Sequence, residues 1–140
     1  MARLFEVQLV VGDVDHAAEW YQEMFSLTRT VDDAERRRIH LALNGGQLIL
    51  AEAGGESVLP DWPGVPPALY QVDDMLEPGP TDHEPIHFAL QFESDVWESI
   101  ADRLRDTGSV VRGPLVWPDT IESLYTLDPD GNCVEIVRAI

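Results

Sequence analysis

The chain has 140 residues, 44% of them hydrophobic, so it can form one compact domain or two small modules that share a core. It carries 26 acidic and 9 basic residues, a net charge of −17, and every basic residue is an arginine. This charge excludes nucleic acid and anionic membranes as partners. It fits either an acidic coat suited to a salty cytoplasm or a field that attracts a cationic ligand.

Cysteine content and hydropathy further limit the class of protein to which the chain can belong. The single cysteine, Cys133, excludes an internal disulfide framework and a cysteine-rich zinc site. No apolar run approaches the roughly 20 residues that span a bilayer, and residues 1–6 lack the layout of a signal peptide. We therefore expect a cytoplasmic protein.

The first part of the chain combines strand and helix patterns. Period-two alternation predicts strands and a 3.6-residue period predicts a helix. The elements in chain order are a strand at 6–11, a helix at 14–25, and strands at 36–43 and 47–52. Asp13 or Asp15 can cap the helix, a break is expected at residues 26–33, and Asn44-Gly45-Gly46 is a hairpin turn.

Composition changes at residues 54–85, which hold seven of the ten prolines. Proline removes a backbone donor, so helices are not expected in most of this segment. A structureless segment of this length is more often a linker or a functional lid than an idle loop. Only residues 68–72 have a strand pattern.

The opening pattern returns after residue 85. Residues 86–92 alternate as a strand, and Asp95 followed by Glu98 resembles a capping box. A strand can begin at Val110-Val111, and the chain closes with a hairpin around Asp128-Pro129-Asp130-Gly131. The apolar stripe of the predicted second helix consists of Trp97, Ile100, Ala101 and Leu104.

The two halves correspond to each other and predict two similar modules, about residues 4–53 and 86–140. Aligning their first strands places Glu6 on His87, and aligning their turns places His40 on Tyr125 and Leu50 on Glu135. The apolar side of the strands should pack under the helices. The opposite, polar face carries Glu6, Gln8, His40, Glu52, His87, Gln91, Tyr125, Cys133 and Glu135.

Such a polar face is expected to line a wet cavity, because an unpaired buried charge is costly. We therefore predict that it is the functional surface. Gln8 and Gln91 on this face are candidate ligand-binding residues, and Trp62 and Trp117 are candidate aromatic walls. Cys133 is expected to have a packing role.

Three stretches carry a family resemblance: residues 11–21, residues 86–90, and the closing hairpin at 124–135. With the duplication, they resemble the vicinal oxygen chelate superfamily, which includes glyoxalase, bleomycin-resistance and extradiol dioxygenase proteins. The resemblance implies an α+β fold of two βαβββ modules that form a cup-shaped mixed sheet, with the helices on the outer face. It also implies a homodimer.

The resemblance also implies a metal site. Family ligands come from the first and last strands of each module, which here are Glu6, Leu50, His87 and Glu135. Leu50 cannot bind a metal, which leaves Glu6, His87 and Glu135. Three ligands with open positions suit a catalytic divalent ion such as Mn, Fe, Ni or Zn. Glu52, His40 and Tyr125 are the candidate catalytic groups that would handle protons.

The favoured function is a metal-dependent lyase, isomerase or oxygenase that acts on a small oxygen-chelating substrate. The alternative is a metal-free protein that sequesters a cationic drug, as bleomycin-resistance proteins do. Fosfomycin-type resistance is less attractive, because its anionic substrate would meet an acidic protein without lysine.

Overall fold

The computed structural model of the protein describes residues 1–54, 87–118 and 121–140. The chain divides into two compact units, Met1–Thr81 and Asp82–Ile140. The predicted strand at 68–72, Trp62 and all of the predicted linker or lid except Gly54 lie outside the described residues. None of the described helices is long and apolar enough to cross a membrane.

The described part of the chain forms eight strands and two helices. In the first unit they are β1 (Glu6–Val11), α1 (Val14–Phe25), β2 (Arg29–Asp33), β3 (Arg38–Leu43) and β4 (Gly46–Glu52). In the second unit they are β5 (His87–Gln91), α2 (Ser94–Asp106), β6 (Val111–Trp117), β7 (Ile121–Leu127) and β8 (Cys133–Ala139).

Each unit has the same sheet topology. The strand order is β1-β4-β3-β2 in the first unit and β5-β8-β7-β6 in the second. The first strand of each unit is parallel to the last, and the remaining pairs are antiparallel. The predicted α+β fold of two βαβββ modules is therefore confirmed.

The helices pack where the alternation predicts. Asp13 is the N-cap of helix α1, and its carboxylate accepts from the His16 backbone N–H at 2.9 Å. Ser26 is the C-cap. The apolar period of this helix buries Ala17, Tyr21, Met24 and Phe25 on one stripe. In α2 the stripe of Trp97, Ile100, Ala101 and Leu104 is also buried.

The capping box predicted at the start of α2 is wrong. The N-cap residue is Glu93, and its side chain makes no capping hydrogen bond. Because the helix begins at Ser94, Asp95 lies inside the first turn. The Glu98 carboxylate accepts from Arg138 at 2.7 Å instead.

One edge strand falls where a break was predicted. β2 occupies Arg29–Asp33, and only its first and last residues are partly buried. The strand expected to begin at Val110-Val111 is β6, which runs from Val111 to Trp117 and is almost wholly exposed. Edge strands that bury neither face lack the apolar alternation by which buried strands are recognised.

Strand register corrects the alignment of the halves by one residue. His40 pairs with Ile49, and Tyr125 pairs with Glu135, so Ile49 and not Leu50 is the counterpart of Glu135. The two hairpin loops differ in length, which is why aligning their glycines misplaced the final strand. Ile49 is also apolar, so it offers no metal ligand either.

The predicted position of Glu52 on the polar face is wrong. Glu52 pairs in register with the fully buried Val11, so it lies on the helix-side face. Its carboxylate accepts from the Val14 backbone N–H at 3.2 Å and from Arg37 Nε at 2.6 Å. The hydrogen bond from Arg37 lowers the pKa of Glu52, and the bond from Val14 adds to this against the effect of burial.

The lowered pKa of Glu52 predicts a pH-dependent contribution to stability. The contribution should be full above the ordinary value of 4.5 and should be lost as the pH falls through the lower folded-state value. Glu52→Gln should therefore reduce the free energy of unfolding by about 1 kcal/mol at neutral pH. Urea unfolding of both proteins at a series of pH values tests this, and a difference that persists undiminished in acid would contradict it.

Candidate functional site

The polar face of the second unit is centred on Glu135 in β8. Its neighbours Val134 and Ile136 are fully buried on the helix side, where Trp97 Nε1–H of α2 donates to the Ile136 carbonyl at 3.0 Å. Strand alternation therefore turns Glu135 to the opposite face. The residue is nonetheless only 8% exposed, so its carboxylate requires nearby donors.

Side chains from two neighbouring strands supply these contacts. His87 Nε2 of β5 lies 2.9 Å from Glu135 Oε2. On the other side, the β7 hydroxyls of Ser123 and Tyr125 donate to Oε1 at 2.5 and 3.2 Å. Tyr125 is the direct cross-strand partner of Glu135. Both carboxylate oxygens are thus held in place.

The Trp117 indole fixes the direction of one of these hydrogen bonds. Its Nε1–H lies 3.2 Å from Ser123 Oγ and can only donate. Ser123 therefore accepts from Trp117 and uses its own proton for Glu135. Sequence reasoning missed Ser123, although its position two residues before Tyr125 places it on the same face of β7.

Tyr125 is a neutral hydrogen-bond donor here. Burial raises the pKa of its phenol, and the negative charge of Glu135 raises it further. Burial and then Glu135 also raise the pKa of the Cys133 thiol. The rings of His87 and Tyr125 have centroids 5.8 Å apart, so the phenol proton is held beside the imidazole.

His87 and Glu135 fit a metal ion as two adjacent ligands. Donors at about 2.1 Å from an octahedral ion lie about 3 Å apart, and these two atoms are 2.9 Å apart. His87 would have to ligate through an unprotonated Nε2. In the described ranges, no three His, Cys, Asp or Glu side chains form a group that could hold a metal.

In the first unit, the third predicted ligand belongs to a hydrogen-bonded chain on the polar face. The exposed Glu6 carboxylate accepts from Gln47 Nε2 at 2.9 Å, and Gln47 Oε1 lies 3.2 Å from His40 Nδ1. A carboxylate fixes the amide orientation, and the amide oxygen then requires a proton on His40 Nδ1. Neutral His40 therefore has an unprotonated Nε2.

Gln8 and Arg38 form a second contact on this face. Arg38 Nη2 donates to Gln8 Oε1 at 2.8 Å, across β4. Arg38 is only 7% exposed. Sequence reasoning did not single it out, because it was the last of three consecutive arginines at a strand start.

The other predicted ligand-binding residues lie on the second unit. Gln91 is exposed at the end of β5, two residues along the same alternation from Ala89, the register partner of Glu135. Trp117 is 44% exposed. A separate cavity of about 420 Å³ on the second unit is lined by Val110, Arg112, Tyr125, Thr126, Leu127 and Cys133.

Solved structures with the same fold come from several bacteria. A lactoylglutathione lyase from Agrobacterium tumefaciens is 19% identical, with a TM-score of 0.71 over 99% of this chain and 94% of that chain. A glyoxylase/bleomycin resistance protein/dioxygenase domain from Frankia sp. is 22% identical, with a TM-score of 0.67 over 100% and 99%.

A genomically encoded fosfomycin resistance protein, FosX, from Listeria monocytogenes is 15% identical, with a TM-score of 0.64 over 97% of this chain and 90% of that chain. Identities this low show a shared fold. No curated protein sequence matches the chain significantly. A family model matches residues 3–136, and the chain therefore belongs to the Glyoxalase/Bleomycin resistance protein/Dioxygenase superfamily.

Proposed function

We propose that the protein is a divalent-metal-dependent lyase, isomerase or oxygenase that acts on a small substrate with two neighbouring oxygens. The observation that carries this proposal is the contact of 2.9 Å between His87 Nε2 and Glu135 Oε2. The metal, whether Mn, Fe, Ni or Zn, would supply a Lewis acid that polarises the chelated oxygens.

The surroundings of Glu135 suit a metal ligand. Ser123 and Tyr125 both bind Oε1, which orients the carboxylate and leaves Oε2 directed at His87. Such supporting hydrogen bonds are what usually orient ligands around a bound ion. The family resemblance makes Glu6 the proposed third ligand, supplied by the second copy of a homodimer.

Two side chains are proposed for proton handling. The raised pKa of Tyr125 keeps its phenol protonated at neutral pH, so we assign it as a proton or hydrogen-bond donor that would exchange its bond to Glu135 for one to the substrate. Neutral His40 presents an unprotonated Nε2 because Gln47 holds its Nδ1 proton, so we assign it as the base. Glu52 is not assigned a role, since it lies on the other face and binds Arg37.

Removal of either proposed ligand should abolish tight metal binding. We expect His87→Ala and Glu135→Ala to weaken Mn²⁺, Ni²⁺ or Zn²⁺ binding by about 100-fold or more, because one of few ligands is lost. Calorimetric titration of protein purified without a histidine tag measures this. Glu52→Gln is the matched control, since it removes a carboxylate from the opposite face and should leave the affinity unchanged.

Elemental analysis of the untagged protein is the second test of the metal-dependent proposal. Protein that retains no divalent metal after supplementation with Mn, Fe, Ni and Zn, and shows no calorimetric binding, would contradict the metal-dependent proposal.

The assignment of Tyr125 predicts a coupled titration. In metal-free protein, Glu135→Gln should lower the pKa of Tyr125 because the negative charge beside the phenol is removed, while burial still keeps the pKa above 10.0. Phenolate absorbance against pH measures the shift, and Tyr125→Phe identifies which transition belongs to this residue. An unchanged titration in Glu135→Gln would show that Tyr125 does not sense Glu135.

The alternative function is metal-free capture of a cationic small molecule. Glu135 already has three protein partners and needs no metal to be satisfied. The half-exposed Trp117 provides an aromatic surface, and the cavity of about 420 Å³ on the second unit has apolar lining residues such as Val110 and Leu127. With a net charge of −17, this surface would attract a cation.

Capture predicts that metal-stripped protein binds a cationic glycopeptide, and that binding weakens as salt is raised. Trp117→Ala should reduce the affinity by about 1 kcal/mol, because a stacking surface is lost. Val116→Ala is the control, since Val116 is also exposed but alternates to the other face of β6. Fluorescence titration that shows no saturable binding would exclude capture of this ligand class.

A further inference from the structure

Within residues 1–54 of the first unit, one buried cation has no anionic partner. Arg38 is 7% exposed. Within the described residues, the one hydrogen bond of its side chain is to the neutral amide oxygen of Gln8. Among the residues that the structure describes in both units, five other arginines form ion pairs with Asp or Glu: Arg29, Arg36, Arg37, Arg105 and Arg138. Arg38 does not, although acidic residues outnumber basic ones 26 to 9.

A buried guanidinium requires compensation. Arginine stays protonated in proteins, so it cannot avoid the cost of burial by losing its charge. One neutral acceptor satisfies one of its five N–H groups and none of its charge. An oxyanion that accepts two parallel hydrogen bonds from the guanidinium would balance its charge and pair two more of its N–H groups.

The space for such an anion is present. Arg38 lines a cavity of about 380 Å³ together with Val31, Asp33, Arg36 and His40. Asp33 does not neutralise Arg38, since its carboxylate binds the Arg36 side chain at 3.0 Å and the Arg36 backbone N–H at 2.9 Å. These two bonds also lower the pKa of Asp33, so the Asp33–Arg36 pair is ionised and internally balanced. Although Asp33 is the register partner of Arg38 across β2 and β3, Arg38 is the one arginine among the described lining residues that forms no ion pair.

We propose that Arg38 binds the oxyanion group, a carboxylate or a phosphate, of a small ligand on the polar face of the first unit. This binding does not depend on the metal proposed at His87 and Glu135. The net charge of −17 does not forbid it. Surface carboxylates are screened over about 8 Å at physiological ionic strength, whereas a buried contact is screened much less.

The test is calorimetric titration of inorganic phosphate and, separately, of acetate into the full chain in EDTA. We expect saturable binding of at least one anion, and Arg38→Gln should weaken it by about 10-fold or more. Binding of phosphate alone indicates a phosphate ester as ligand, and binding of acetate alone indicates a carboxylic acid. Binding of both supports the shared oxyanion chemistry.

Arg105→Gln is the matched control, because it makes the same charge change on the exposed surface of α2 and should leave binding unchanged. Arg38→Lys covers the case in which Arg38→Gln fails to fold, since it keeps the charge but loses the planar fork and should still weaken binding several-fold. No saturable binding of either anion by the wild type, or equal binding by the folded Arg38 variant, would overturn the proposal. The metal-binding measurements on the His87 and Glu135 variants are separate, and the metal proposal can fail or hold whichever result the anion titration gives.

Discussion

The buried carboxylate of Glu135 is the interaction on which the second unit's polar face depends. Its partners come from β5 and β7, the strands on either side of β8. A one-residue slip of β8 would turn Glu135 towards α2 and expose Val134 and Ile136. The apolar alternation that builds the core under α2 therefore also holds the carboxylate in contact with His87. Core and site are specified by the same register.

The first unit repeats this architecture with the opposite electrostatics. Ile49 occupies the position that corresponds to Glu135, so the strands β1 to β4 carry no buried carboxylate on this face. Its charged centre is Arg38, which reaches across β4 to Gln8. A duplicated βαβββ module thus provides the same type of surface twice, once organised around an anion and once around a cation. Each surface is suited to a different chemical group.

Sequence patterns predicted the parts that depend on long, regular periods. The bounds of α1 and the buried stripes of both helices follow from a 3.6-residue period, and the buried face of β1, β3 and β8 follows from alternation. The final-strand alignment failed because the two hairpin loops differ in length, which no periodicity records. Glu52 was misplaced by the same one-residue error, since alternation counted from the wrong register inverts the face.

The candidate site was only partly predictable for a different reason. His87, Glu135 and Tyr125 stand out because a charged or aromatic polar residue interrupts an apolar strand. Ser123 gives no such signal, because a serine in a strand is ordinary. Arg38 follows two other arginines, and only the three-dimensional contacts show that Arg36 and Arg37 have carboxylate partners while Arg38 has an amide.

The contrast between Glu135 and Arg38 shows why net charge is a poor guide to the ligand of this protein. A charge of −17 describes a field that water and salt largely screen at the surface. Recognition depends on the few charges that the fold withdraws from water, because desolvation makes their pairing matter most. Glu135 is withdrawn and fully provided with donors, so a cation there must displace or share existing partners. Arg38 is withdrawn and pairs with no carboxylate of the described residues, so a ligand on the first unit's polar face would provide the charge partner that Arg38 lacks there.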